Sequence, residues 1–188
     1  MRRVPDGLRL RFDPIRRAAE LWRQRWGPRS EPLAMASATS IMRVQQLLIA
    51  EFDAVVGRHG LTFARYETLV LLAFSSAGEL PMSKVGERLM VHPTSATHIV
   101  QRLETQGFVR RSPNPRDGRG TLAAVTDAGR EVMEAATADL VRGGFGLSML
   151  TPDEHDQLFV LLRTVRVPAP TSPSSPVSIP TGLTGLLV

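Results

Sequence analysis

The sequence contains no cysteine, which excludes disulfides, thiolate zinc sites, cysteine nucleophiles and thiol-based redox sensing. Lysine is almost as scarce: Lys84 is the single one, so nearly all the positive charge is arginine. That bias suits bidentate contacts to phosphate and guanine, and it also fits plain codon usage in a GC-rich genome. No unbroken apolar run approaches the roughly 18 residues that a bilayer span needs, and Arg2-Arg3 is not followed by the apolar stretch of a secretory signal. A cytoplasmic protein with no membrane partner is therefore expected. His59, His92, His98 and His155 are scattered and form no helical H-x-x-x-H pair, so no metal is expected. There is no nucleophile-elbow sequence and no Gly-rich phosphate loop, and Asp153, Glu154 and Asp156 read as helix-start charge rather than paired catalytic carboxylates. Neither an enzyme nor a cofactor is expected.

What is present is 188 residues, 43% of them hydrophobic, enough for one domain with extensions around a real core. The net charge is +5 and the sequence pI about 11.0, which favours a polyanionic partner, nucleic acid foremost. The charge is uneven. Residues 1–30 carry a net +6, residues 31–87 a net −2, residues 88–119 a net +4 and residues 120–188 a net −3. Basic charge thus gathers in an N-terminal arm and in one central segment.

Asp13-Pro14 has the form of an N-cap with proline at the first helical position. Ile15, Ala18, Ala19, Trp22 and Trp26 then recur on one helical face until Gly27-Pro28. From Leu33 to about His59 a longer helix carries Ile41, Val44, Leu48, Phe52 and Val55 on one stripe, widened by Met42, Leu47, Ile49 and Val56. An apolar arc that wide suits burial on two sides, against its own domain and a partner chain, or a place at the centre of a monomer. Thr62 to Phe74 is a further helix, broken by Gly78 to Pro81. Ser83 opens a very short helix ending near Leu89, and Met90-Val91-His92 leads tightly into a helix begun by Pro93. Two short helices so joined have helix-turn-helix spacing. Thr126 opens another helix running toward Gly143, and Thr151 to Glu154 has the layout of a capping box. After Val167 the chain turns Pro, Ser and Thr rich, and disorder is expected there.

In the Pro93 helix, Ala96, Ile99, Val100 and Leu103 share one arc. Thr94, Ser95, Thr97, His98, Gln101, Arg102 and Thr105 occupy the other. A surface helix usually fills its outer face with Glu and Lys. This one offers hydroxyls, an imidazole, an amide and a guanidinium, with no acid until Glu104, which is the chemistry of a groove-reading surface. Gly107 suits a left-handed stop, with Phe108 touching Leu103 in a Schellman arrangement. Residues 108–112 and 121–125 are β-compatible and flank a turn-rich tip, Pro113 to Gly120, forming a two-stranded wing. Arg119, between two glycines, suits insertion into a minor groove, Arg116 suits phosphate, and Asp117 suits orienting one of them. A merely basic, solvated hairpin is the plainer alternative.

Val91-His92-Pro93-Thr94-Ser95-Ala96-Thr97, the run from Arg102 to Arg111, Arg116-Asp117-Gly118-Arg119 and the stretch from Leu122 to Gly129, in that order, resemble the MarR family of bacterial transcription regulators, over about residues 35–167. The resemblance implies a homodimer with intertwined N- and C-terminal helices, two winged helices on a pseudo-palindromic operator of double-stranded DNA, and Asp117 and Arg119 as wing acid and wing arginine. It also implies a cleft for a small effector, often phenolic or acidic, between the dimerisation helices and the DNA-binding lobe, whose occupation weakens DNA binding. The added Trp-bearing helix is similar to a urate-responsive subgroup, but Glu67 stands where that subgroup has aspartate and Ile99 where it has arginine. Trp22, Trp26 and Glu67 are the candidate effector contacts, and plain packing of the added helix also accounts for the tryptophans.

The expected fold is mainly α with a small two-stranded β-wing, a winged helix-turn-helix flanked by N- and C-terminal dimerisation helices. Its divisions are a basic arm (1–12), N-terminal helices (13–60), the winged helix-turn-helix (61–126), C-terminal helices (127–167) and a tail (168–188). The expected DNA contacts are Ser83, His92, Pro93, Thr94, Ser95, Thr97, His98, Gln101, Arg102, Arg116, Asp117 and Arg119. An architectural or protein-interaction module with little DNA sequence preference is the alternative function.

Overall fold

The computed structural model describes residues 11–75, 77–115, 117 and 120–167. The first ten residues of the basic arm, the tail 168–188, and Arg116 and Arg119 of the wing lie outside the described residues. The chain divides into two compact units, residues 1–148 and 149–188, so the segment expected to hold both C-terminal helices is split between them.

The first unit opens with α1, Pro14–Trp26. Asp13 caps it, accepting from the Ile15 and Arg16 amides at 2.9 and 3.3 Å, and Gly27 in the left-handed region ends it. Its face with Ile15, Ala19 and Trp22 is half-buried and α1 packs on α2, Pro32–Val56. Trp26 departs from the expected packed face: it is 58% exposed, its ring tilted against that of Trp22 with centroids 4.5 Å apart.

The wide apolar arc of α2 resolves into two sides. Phe52 and Val56 are buried in the unit's own core, whereas Ile41, Met42, Val44, Leu47 and Ile49 lie open. With its flanking single turns, the stretch 28–59 is long and apolar enough to cross a bilayer by length and composition. Sequence inspection finds no such span because Ser37, Thr39, Ser40, Arg43, Gln45 and Gln46 interrupt every apolar run.

Helix α3 spans Phe63–Ala73, capped by Thr62. The segment taken as a simple break between helices is a strand instead: β1, Glu79–Pro81, pairs antiparallel with β3, Thr121–Val125, which also pairs with β2, Val109–Pro113. The expected two-stranded wing is thus part of a three-stranded sheet of order β1-β3-β2. That strand displaces the expected cap as well. Helix α4, Met82–Leu89, has Pro81 at its N-cap and no side-chain cap, so Ser83 lies inside the helix. Met90, at φ 53°, turns the chain into α5, Pro93–Thr105.

The end of α5 follows the expected Schellman pattern. Gly107 has φ 75°, its amide donates to the Glu104 carbonyl at 2.9 Å, and the Phe108 amide donates to the Leu103 carbonyl at 2.9 Å. Helix α6, Asp127–Arg142, starts on Thr126, whose hydroxyl accepts from the Gly129 amide at 3.1 Å. The core lies where α2, α3, α4, α5 and α6 meet, and Val56, Leu69, Leu72, Val85, Val100, Leu103 and Leu140 are fully enclosed there. Each such side chain contributes about 1.5–3 kcal/mol.

In the second unit, α7, Pro152–Arg166, carries the capping box foreseen from sequence: Glu154 N donates to Thr151 Oγ1 at 3.3 Å and Thr151 N to Glu154 Oε2 at 2.8 Å. Phe159, Val160, Leu161 and Val165 are more than half exposed on it.

Candidate nucleic-acid interface

The 3.6-residue period of α5 separates its two sides. Ala96, Val100 and Leu103 are buried, and Ile99 is half-buried. His92, Pro93, Thr94, Ser95, Thr97, His98, Gln101 and Arg102 are all exposed. Every predicted contact on this helix is therefore open to solvent on one continuous face.

The N-terminus of α5 is closed by an unusual cap. Nδ1 of His92 accepts from the Thr94 amide at 3.3 Å. With Nδ1 engaged as the acceptor, Nε2 is the ring nitrogen left for an outside partner at the start of α5. Thr97 Oγ1 donates to the Pro93 carbonyl at 3.0 Å, which leaves that oxygen's lone pairs as acceptors. His98, Gln101 and Arg102 make no side-chain hydrogen bond or ion pair among the described residues, so their donors and acceptors are available to a ligand.

The acid nearest this face is neutralised from the wing. Arg111 on β2 donates through Nε to Glu104 Oε2 at 2.7 Å, with Nη2 at 2.6 Å. That hydrogen bond holds the Glu104 carboxyl below its ordinary range. The pair was detectable from sequence, because Gly107 reverses the chain and brings a residue four beyond it back beside one three before it.

Asp117 is exposed at the wing tip. The tip is closed by backbone bonds: Asn114 N to Gly120 O at 2.9 Å, Gly120 N to Asp117 O at 2.8 Å and Asp117 N to Asn114 O at 3.2 Å. The Asp117 carboxylate lies over Gly120, where a Cβ would come within 2.9 Å of Oδ2, so this glycine keeps room for the acid. The expected partners of Asp117, Arg116 and Arg119, lie outside the described residues. Between the wing and the helices runs a cleft of about 340 Å³, with Ser83, Thr97, Arg111, Asn114, Asp117 and Thr121 among its walls. Ser83, on the exposed first turn of α4, thus joins the α5 face through this cleft and not as a cap.

Two further basic residues border the interface. Arg88 on α4 and Arg110 on β2 are exposed and take part in no ion pair among the described residues. Charge was their only signal in the sequence.

The three candidate effector contacts are less unified. Trp22 donates from Nε1 to the Ser30 carbonyl at 2.9 Å, and Trp26 packs against it at a tilt and carries the Arg25 guanidinium 5.9 Å from its ring centroid. Glu67 is on the open side of α3, where partial burial raises its carboxyl above the ordinary value. No hydrogen bond or ring contact joins it to the tryptophans among the described residues.

The sequence profile of the MarR family matches residues 59–120. An uncharacterized HTH-type transcriptional regulator of Bacillus subtilis strain 168, YkoM, is 33% identical over 106 residues, which are 56% of this chain and 68% of its own. Among solved structures, a MarR family transcriptional regulator from Streptomyces coelicolor is 59% identical, with a TM-score of 0.67 over 71% of this chain and 92% of its own. A second MarR family regulator from that organism, solved in complex with DNA, is 30% identical, with a TM-score of 0.65 over 69% of this chain and 83% of its own.

Proposed function

The chain belongs to the MarR family of transcriptional regulators, and on that footing we propose that it works as a homodimer on a pseudo-palindromic operator under the control of a small effector. It is a DNA-binding transcriptional regulator of the winged helix-turn-helix type. The observation that carries the proposal is the α5 face: eight exposed positions from His92 to Arg102 with no acid among them, backed by a buried stripe that fixes the helix in the core. Two such helices related by a two-fold axis would enter successive major grooves about 34 Å apart, with the wings over the flanking minor grooves. Arg88 and Arg110, both exposed, and Arg116 are the proposed phosphate contacts, and Arg119 is the proposed minor-groove contact.

The dimer is supported by the uncovered apolar side of α2, which a second copy would bury. For the effector, a phenolic or acidic molecule, Trp22, Trp26 and Glu67 are the proposed contacts. A ring open to solvent offers stacking, and a carboxyl whose pKa is raised by desolvation holds its proton more readily, a donor to offer an acid. Such a regulator, most simply a repressor, acts in the cytoplasm.

Competition binding tests this reading. The protein should hold its own gene's upstream region at least a hundredfold more tightly than random duplex of equal length at matched salt. Equal competition by random DNA would establish an architectural module without sequence preference instead.

A further inference from the structure

At the end of α5 opposite Pro93, one side chain joins three elements. Gln106 is the C-cap residue of α5. Its Nε2 donates to the Gly60 carbonyl at 2.9 Å, and its Oε1 accepts from Arg65 Nη1 at 2.7 Å. A carbonyl can only accept and a guanidinium can only donate, so both partners fix the same orientation of the amide. Gly60, at φ 72°, ends the single turn 57–59 that closes α2. Arg65 lies in the first turn of α3, with Nε 3.3 Å from the capping Thr62 hydroxyl. The same junction is held to its own lobe: Asp53 of α2 accepts from the Phe63 amide at 2.7 Å, and His59 Nε2 lies 3.0 Å from Asp139 Oδ2 of α6. Among the described residues, the two bonds of Gln106 are the side-chain hydrogen bonds that tie α5 to the α2–α3 junction.

We propose that Gln106 is a positioning residue that sets the angle of the reading helix against the end of α2. The proposal rests on the dimeric operator-binding reading, in which α2 carries the subunit contact. If α2 is fixed against a second copy, whatever locks α5 to the end of α2 also locks the distance between the two reading helices. Gln106 does this without touching DNA. Both functions of its amide are engaged within the protein, by Gly60 and Arg65, and it lies one turn beyond Arg102, the last of the proposed contacts on this helix.

The amide's two functions can be removed separately. Gln106→Glu keeps the acceptor for Arg65 and loses the donor to Gly60. Gln106→Lys keeps a donor and loses the acceptor, and Gln106→Ala loses both. The full-length protein and these variants would be titrated against an operator selected by the wild type and against the same operator with one base pair inserted or removed between its half-sites. Wild type should discriminate sharply, since one base pair displaces and rotates a half-site. In Gln106→Ala the ratio of native-spacing to altered-spacing affinity should fall roughly three- to tenfold, the size expected from one or two hydrogen bonds, with Glu and Lys intermediate. A variant that was merely less stable would lose active protein equally for all spacings and leave the ratio unchanged. A folded Gln106→Ala that discriminates as sharply as wild type would overturn the proposal alone. A wild type indifferent to spacing would overturn the dimeric operator reading and this proposal with it.

Discussion

At position 67 a carboxylate bears a desolvation cost, and among the described residues no cation pairs with it. Burial raises the Glu67 pKa above its ordinary value, so the folded state binds that proton more tightly than the unfolded chain does. Stability from this group is complete below the unfolded pKa and is lost as pH rises through the folded one. Glu67→Gln should therefore melt higher than wild type near pH 7 and match it near pH 4, as read by thermal denaturation. A lower melting point for the variant near pH 7 would mean that a cation pairs with the carboxylate after all. Single residues were also where the sequence was most informative. Asp13, Thr126 and Thr151 cap as their local patterns require, because a cap depends on two or three neighbours. Ser83 does not cap, because the three residues before α4 are occupied by a strand whose partner lies about forty residues further on. His92 does, although imidazole is not among the usual capping groups.

The α5 helix was legible at the scale of elements because its burial follows period 3.6 without exception across Ala96, Val100 and Leu103. Strand β1 was not: its ladder is held by β3 and by the bond from Val125 N to Gly78 O at 3.0 Å, none of which leaves a local trace in three residues ending in proline. The seat of the wing against α6 depends on a similar long-range approach. Gly129 sits against the start of β2 so closely that a Cβ would overlap the Phe108 carbonyl oxygen, a backbone atom that cannot step aside. Gly129→Ala should cost about 3 kcal/mol, the upper end of overpacking, measured by chemical denaturation. A loss below about 0.5 kcal/mol would show that the wing and α6 move apart easily. The Glu104–Arg111 pair links the wing to α5 from the other side.

The whole molecule combines a lobe that presents the proposed DNA-reading face of α5 with helices whose apolar sides are left open. Charge segregation already separated the two in the sequence, since residues 88–119 carry a net +4 whereas residues 31–87 carry a net −2. The effector contacts were the least legible. Trp22 and Trp26 share α1 whereas Glu67 lies on α3, and no spacing rule brings side chains from different elements into one site. The central claim is that the exposed face of α5 reads base sequence, and binding-site selection from randomised duplexes with wild type and Gln101→Ala tests it most directly. Wild type should select a two-fold symmetric sequence, and the variant should lose preference at one symmetry-related pair of positions while keeping the rest, with a discrimination loss of about 1–3 kcal/mol there. An unchanged consensus, or a uniform weakening across every position, would contradict the assignment of that face to base recognition.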